Sequence, residues 1–164
     1  MRARDQLVDI FVRSAKEIFA SLGVSVEQAG EPVLLQQPPL PHPISITVSL
    51  HGAFEGVACY GMPPETAERV AAAMLQGMAE DEDPSPFASP LAQSALAELG
   101  NMITARAANL LGSNGETCDI SVPMVVLDAR KIVAGSSWPQ LLVPLTSPLG
   151  DLAIGLASRQ IEEV

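Results

Sequence analysis

Glu98 and Asn101 are the two residues of this chain whose types and spacing are best suited to chemistry. Residues three apart on a helix lie roughly 5–6 Å apart at their Cβ atoms, so this carboxylate and this amide can engage one object together. The carboxylate offers a negative charge, and the neutral amide accepts a hydrogen bond without needing a particular protonation state. The pair therefore predicts a surface that is covered by a partner.

Both residues belong to a predicted helix over Pro90 to Gly112 that has two contrasting faces. At 3.6 residues per turn, one side is a core face with an arginine as its odd member: Leu96, Leu99, Ile103, Arg106 and Leu110, with Ala92, Ala95 and Met102 beside them. The opposite side is small and polar: Ser94, Glu98, Asn101, Ala105 and Ala108. Such a face lacks the usual run of Lys, Arg and Glu. Its alanines, together with Ala97, would allow a partner to approach closely.

Length and composition bound the fold and the class of partner. With 164 residues, 48% of them hydrophobic and 4% aromatic, the chain is expected to form a single domain over residues 1–164 with an aliphatic core. A net charge of −10 argues against nucleic acid and against an anionic membrane surface, since both require clustered Lys and Arg. The N-terminus is unlike a signal peptide, and no apolar run approaches the roughly 20 residues of a membrane span. These features predict a cytoplasmic protein.

The rest of the chain supplies elements on which the Glu98 helix can pack. Helices are predicted over 4–22 and from Pro63 onwards, and an acidic loop at 80–86 follows the second of them. Strands are predicted over 24–31, 44–50, 54–61, 116–126, 141–146 and 151–158. Strict alternation of apolar and polar residues over Ile44 to Leu50 indicates a half-buried strand. The proline-rich segment 36–43 is interpreted as a link or as an arm for strand exchange. The order of elements predicts an α+β fold, an antiparallel sheet with helices packed on one face.

Several common chemistries have no residues to carry them. The sequence has no G-x-x-x-x-G-K-[ST] phosphate loop, no Cys or His cluster at zinc spacing and no G-x-S-x-G elbow. His42 lies between prolines and His51 in a predicted turn, so both are expected to be ordinary surface residues. Cys59 and Cys118 are interpreted as reduced and mostly buried thiols. An enzyme with its own pocket and its own acid–base groups is therefore poorly supported.

A family resemblance rests on the segment Ser94-x-x-x-Glu98-x-x-Asn101, continued by Met-Ile-Thr-Ala. This segment resembles the signature of the CheC/CheX/FliY family of chemotaxis phosphatases. The upstream run GVACYGMPPETAERVAAAMLQG, a strand and a helix before an acidic loop, is similar to that family too, and the resemblance covers residues 44 to 158. The other candidate helix has Glu17 but carries Ala20 where Asn would be needed. A chain with a single motif of this kind most resembles the CheX branch of the family.

The resemblance implies a phosphatase acting on the aspartyl phosphate of a CheY-type response regulator. Glu98 would form a salt bridge with an active-site lysine of the regulator, and Asn101 would reach into that active site and orient the attacking water. The small residues of the same face would line the contact: Ser94, Ala97, Ala105 and Ala108. The magnesium ion would belong to the regulator, so this chain would bind no cofactor of its own. The CheX branch forms homodimers by strand exchange, so a homodimer is expected.

Alternatives to this interpretation remain open. A Glu and an Asn on an exposed helix face are ordinary, and the same face could hold a response regulator without hydrolysis. The chain could then be a non-catalytic binding module or a structural subunit related to the flagellar switch. The dipeptide Ala105-Arg106 also departs from the Gly-Asn often found there in the family. The larger arginine is expected to alter packing or the choice of regulator.

Overall fold

The computed structural model describes residues 3–36, 42–76, 83–112, 115–128, 138–159 and 161. Three helices lie in these ranges: α1, Ala3–Ser21; α2, Pro64–Leu75; and α3, Pro90–Leu111. The strands are β1, Glu27–Gln28; β2, Val33–Leu35; β3, Ile44–Gly52; β4, Gly56–Met62; β5, Cys118–Ile120; β6, Met124–Val126; β7, Gln140–Thr146; and β8, Leu152–Ala157.

All eight of these strands join one sheet, in the order β1-β7-β8-β4-β3-β5. β2 also pairs with β7, and β6 also pairs with β3, so the short strands β5 and β6 follow one another along the same edge of β3. Every pairing among the described strands is antiparallel. The predicted α+β fold with an antiparallel sheet is confirmed.

α3 is the central helix of the layer that covers the sheet. It packs against α1 and α2 on its two sides and against β3, β5 and β6 beneath it. The largest fully buried side chains come from both layers, and they include Phe11 and Phe19 of α1, Ile46 of β3, and Leu99 and Ile103 of α3. The core is therefore largely aliphatic, as the composition predicts, and only the outer side of α3 is left for solvent.

The central strands are buried on both faces, which corrects the prediction for β3. Ile44 and Ile46 face the core at 0% exposure, but Ser45 and Thr47 on the other face are also buried, at 0% and 8%. The alternation of large and small residues therefore reflects the shapes required on the two faces and not contact with water. Cys59 of β4 lies on this small-residue face, and burial raises the pKa of its thiol to about 12. Cys118 is half-buried, and both thiols are free, as predicted.

Two other predictions about elements were wrong. The segment predicted as a strand over 24–31 contributes only the exposed pair Glu27–Gln28 to the sheet, while β2 lies beyond it. Arg106 does not lie on the core face of α3: it is exposed, and its Nε donates to Glu17 of α1 at 2.7 Å. A guanidinium is too costly to bury alone, so it takes the flank of the helix where a carboxylate is available.

Parts of two predicted loops, residues 37–41 of the proline-rich link and residues 80–82 of the acidic loop, lie outside the described residues. Within the ranges that the structure describes, none of the helices combines the length and the apolar character needed to cross a membrane.

Candidate functional site

The start of α3 is set by the local sequence Ser89-Pro90. The side-chain Oγ of Ser89 accepts a hydrogen bond from the Ala92 N–H at 3.2 Å, which satisfies one of the unpaired donors at the helix start. Pro90 occupies the first turn, where its fixed φ favours the helix and its missing N–H costs nothing. The helix phase is therefore fixed well before the chain reaches Glu98 and Asn101.

Gly100 holds the middle of α3 tightly against the sheet. A Cβ atom added to this glycine would overlap Cγ2 of Ile46 and come within 3.7 Å of the Tyr60 ring. A glycine usually weakens the interior of a helix, so its presence here is explained by the close approach of helix and strand. The neighbouring residue Asn101 is consequently carried on backbone that has little room to shift.

A buried hydrogen-bond chain fixes the same turn of α3 to β4. The hydroxyl of Thr104 donates to the carbonyl oxygen of Gly100 at 2.7 Å, which uses its single proton. The Tyr60 hydroxyl lies 2.7 Å from the same Thr104 oxygen and must therefore be the donor in that pair. Burial raises the pKa of the Tyr60 phenol, so it keeps this proton under ordinary conditions. The support beneath Asn101 is thus uncharged and insensitive to pH in the neutral range.

We expect Gly100→Ala to destabilise the protein although alanine is the better helix former. Helix propensity favours alanine by about 1 kcal/mol, whereas forcing a methyl group into a packed core costs roughly 1–3 kcal/mol. Ile46 is fully buried, so it has no free space into which to move. Chemical unfolding followed by circular dichroism measures the change in the free energy of unfolding. A more stable variant would show that α3 and β3 are less tightly packed than described.

The structure leaves Glu98 exposed and Asn101 half-exposed on the outer side of α3. Within the described ranges, neither side chain has a hydrogen-bond partner or an ion-pair partner. A carboxylate and an amide without partners inside the chain are free to engage a second molecule. The spacing predicted from the sequence thus places both polar groups on one accessible surface.

The other predicted contact residues divide into two groups. Ser94 is exposed, and Ala97 and Ala105 are half-exposed, so these three lie on the accessible side of α3 with Glu98 and Asn101. Ala108 is buried at 6% exposure, which corrects the expectation that it is available to a partner. The face predicted from periodicity is therefore too long at its C-terminal end.

A second wall of the site was missed at the level of sequence. The last residue of β5 and the segment between β5 and β6, together residues 120–123, form an open groove with Ser94, Ala97, Glu98 and Asn101. The sequence predicts one continuous strand over 116–126, but the regular strand is interrupted after Ile120 and resumes at Met124. Pro123 is the signal that could have found this break, because proline cannot donate a hydrogen bond within a strand.

The groove offers groups that can position another molecule. The residues that line it include no histidine, cysteine or lysine that could act as a nucleophile or a base. In the part of the chain that the structure describes, no three His, Cys, Asp or Glu side chains converge as a metal site would require. A carboxylate can bind a cation on a partner, and an amide can hold a water molecule by hydrogen bonds. This arrangement suits a reaction in which a second macromolecule brings the activated bond and this chain orients one reactant.

The fold of this chain is similar to the folds of solved proteins, and this similarity identifies the class of protein. The crystal structure of the chemotaxis protein CheX from Desulfovibrio desulfuricans is similar with a TM-score of 0.76 and 20% identity, covering 93% of this chain and 98% of that one. A CheX–CheY–BeF3–Mg²⁺ complex from Borrelia burgdorferi is similar with a TM-score of 0.68 and 21% identity, covering 92% and 96%. The α+β arrangement around α3 is thus the fold of CheX proteins.

Sequence comparison then identifies the family. The family model "Chemotaxis phosphatase CheX" matches residues 44–145, which contain β3, β4, α3 and both walls of the groove. The CheY-P phosphatase CheX of Thermotoga maritima is 30% identical over 121 residues, covering 74% of this chain and 75% of that protein. The chain belongs to the chemotaxis phosphatase CheX family. The resemblance predicted from Glu98, Asn101 and their flanking elements is confirmed.

Proposed function

We propose that this chain hydrolyses the aspartyl phosphate of a phosphorylated CheY-type response regulator. The observation that carries the proposal is the unpartnered pair of Glu98 and Asn101 on the rigid, accessible side of α3. The Thermotoga relative is a CheY-P phosphatase, and the Borrelia neighbour is bound to CheY, which supports a regulator of the same type here. An acidic chain with a net charge of −10 is in turn poorly suited to nucleic acid or to an anionic membrane.

The reaction needs little from this chain beyond orientation. In an acyl phosphate the phosphorus is already activated, and a magnesium ion of the regulator neutralises charge on the phosphoryl oxygens. A water oxygen forms a bond to phosphorus while the bond from phosphorus to the aspartate oxygen breaks. The aspartate leaves as a carboxylate, and the protons of the water pass to the phosphate product and solvent. The side-chain oxygen of Asn101 accepts a hydrogen bond from that water and holds it in line.

Glu98 has a separate role in this proposal. Its carboxylate, one helical turn from Asn101, pairs with the active-site lysine of the regulator and sets the register of the two proteins. Ser94, Ala97 and Ala105 then border the contact and let the backbone of α3 approach. The magnesium ion stays with the regulator, and no cofactor of this chain takes part. We accordingly propose a cytoplasmic location for the chain, where a response regulator would be available to it.

The direct test is the decay of a magnesium-bound, acyl-phosphorylated CheY-type regulator, with and without this protein at a substoichiometric amount. Accelerated decay with many turnovers per molecule of this chain is the expected result. Unchanged decay despite measurable binding would instead favour the non-catalytic module, or a structural subunit related to the flagellar switch. The comparison uses the wild-type chain, so no change in folding can complicate its outcome.

We further propose a homodimer. The 48% hydrophobic and 17% charged composition leaves few charged residues for the surface, and residues 36–43 are suited to an arm that exchanges between subunits. Multi-angle light scattering at micromolar concentration should give twice the monomer mass of 17.2 kDa. A monomer under those conditions would contradict the proposal.

A further inference from the structure

Val122 is the most exposed of the large hydrophobic side chains in the described part of the molecule, at 87%. Single hydrophobic residues at a surface are common and need no explanation by themselves. The position of Val122 is what distinguishes it, because it lines the same groove as Glu98 and Asn101. A large apolar side chain held in water beside two unpartnered polar groups indicates a contact that is completed by another molecule.

The edge of β3 contains a bulge that accounts for this exposure. Leu50 pairs with Ile120 and Thr47 pairs with Met124, so two residues of β3 lie opposite the three residues 121–123. One extra residue in the edge strand is a β-bulge, a feature that occurs at sheet edges and next to active sites, where it redirects a side chain. The bulge places Val122 outside the ladder of paired residues.

Ser121 fixes the bulge to the sheet through Ser49. The backbone N–H of Ser121 donates to the Ser49 carbonyl oxygen at 2.9 Å, and its Oγ accepts from the Ser49 N–H at 2.9 Å. The serine hydroxyl thus replaces the backbone carbonyl that a regular strand would present. Pro123 follows directly and restricts the backbone on the other side of Val122. The exposed valine is therefore held in place before any partner arrives.

The bulge also separates Val122 from the next exposed hydrophobic residue, Met124. Met124 pairs with Thr47, and its neighbour Val125 pairs with the core residue Ile46. Paired residues point to the same face of a sheet, so Met124 points to the face opposite to α3. Val122, by contrast, faces the groove with Glu98 and Asn101. Among the residues that line the groove, Val122 is thus the only exposed large hydrophobic side chain.

Leu91 extends the apolar surface at the other end of the site. It is 41% exposed and precedes Glu98 by seven residues on α3, two helical turns or about 10 Å along the same side of the helix. Glu98 and Asn101 therefore have an exposed aliphatic side chain from the helix on one side and one from the sheet edge on the other. Apolar side chains beside a small number of placed polar groups are typical of binding sites.

We propose that Val122 and Leu91 are docking contacts for the apolar surface that borders the phosphorylated aspartate of the response regulator; this rests on the proposed function. Val122 lines the groove with Glu98 and Asn101, and Leu91 is exposed two turns before Glu98 on α3. A chain with a net charge of −10 gains no long-range attraction to a phosphorylated acidic site, so short-range contacts must supply the affinity. Apolar burial supplies affinity that does not depend on charge and is not screened by salt.

The test compares Val122→Ser with Val33→Ser. Val33 is an equally simple surface valine, 50% exposed, on β2 at the opposite edge of the sheet. The measured quantity is the dissociation constant for a CheY-type regulator loaded with Mg²⁺ and BeF3⁻, together with kcat for the phosphorylated regulator at saturation. We expect Val122→Ser to raise the dissociation constant about tenfold with kcat unchanged, and Val33→Ser to change neither. Val122→Ile should retain the wild-type affinity.

Each outcome decides the proposal separately from the phosphatase activity. Equal affinity of Val122→Ser and the wild type would overturn the docking role, whether or not the wild type accelerates decay. A wild type that binds the loaded regulator without accelerating decay would contradict the proposed function, while the affinity ratio would still decide the role of Val122. Absence of binding by the wild type would contradict both. Because Val122 is 87% exposed, its substitution does not threaten the fold.

Discussion

Asn101→Ala is expected to abolish the acceleration of regulator dephosphorylation while leaving regulator binding within about twofold of the wild type. Orientation of the water is the one catalytic function assigned to this amide. Positioning worth about 2.7 kcal/mol corresponds to roughly 100-fold in rate. Asn101 is half-exposed, so its truncation leaves no cavity in the core. The measurement is kcat from phosphate release under saturating phosphorylated regulator.

The chain offers a matched control for this variant in Asn109. It is the same residue type on the same helix, exposed, and two turns further toward the C-terminus. Asn109→Ala should retain wild-type kcat, and both variants should unfold at the same denaturant concentration as the wild type within error. Full activity of Asn101→Ala would contradict the water-orienting mechanism, and a loss of affinity as large as the loss of rate would make Asn101 a docking residue.

The position of Glu98 and Asn101 on one side of a helix could be predicted from the sequence, because it depends on local geometry alone. Ser89, Pro90 and Gly112 mark the ends of α3, and a helical period then assigns Glu98 and Asn101 to one side. Periodicity fails where the environment of the helix changes along its length. Ala108 lies on the predicted outer face yet is buried, although its neighbour Asn109 is exposed.

The second wall of the groove could not be derived in the same way. The bulge at residues 121–123 is defined by its register against β3, some 70 residues earlier in the chain, and a propensity pattern carries no information on such pairing. Pro123 signals an interruption, but the outward position of Val122 follows only from the hydrogen bonds between Ser121 and Ser49. The apolar contact proposed at Val122 is therefore a result of tertiary structure.

Arg106 illustrates the same limit for charged residues. Its position in the helical period falls beside Leu99 and Ile103, which predicts the core face, yet its long side chain reaches Glu17 of α1. That ion pair joins α3 to α1 at the surface, and exposed pairs of this kind contribute about 0–1 kcal/mol. Arg106 lies on the flank that packs beside α1 and is not part of the groove. The contact that the structure shows for Arg106 is therefore one between two helices of this chain.

Glu98→Lys is expected to raise KM for the phosphorylated regulator by about 100-fold or more, and Glu98→Ala by about tenfold. The alanine variant loses an attraction to the regulator's lysine, whereas the lysine variant replaces that attraction by repulsion between two cations at the same distance. The kcat at saturation should stay close to the wild-type value in Glu98→Ala, because Asn101, the residue proposed to orient the water, is unchanged. Steady-state kinetics over a range of regulator concentrations separates the two parameters.

Glu68→Lys provides the control, because it makes the same change in net charge on an exposed residue of α2. If the effect at Glu98 came from the overall charge of the protein, both variants would alter KM equally. A specific ion pair instead predicts a large effect at Glu98 and almost none at Glu68. The effect at Glu98 should also diminish as salt shortens the Debye length from about 10 Å at 0.1 M to about 3 Å at 1 M. An unchanged KM in Glu98→Lys would remove the docking role and leave Asn101 and the apolar contacts to define the register.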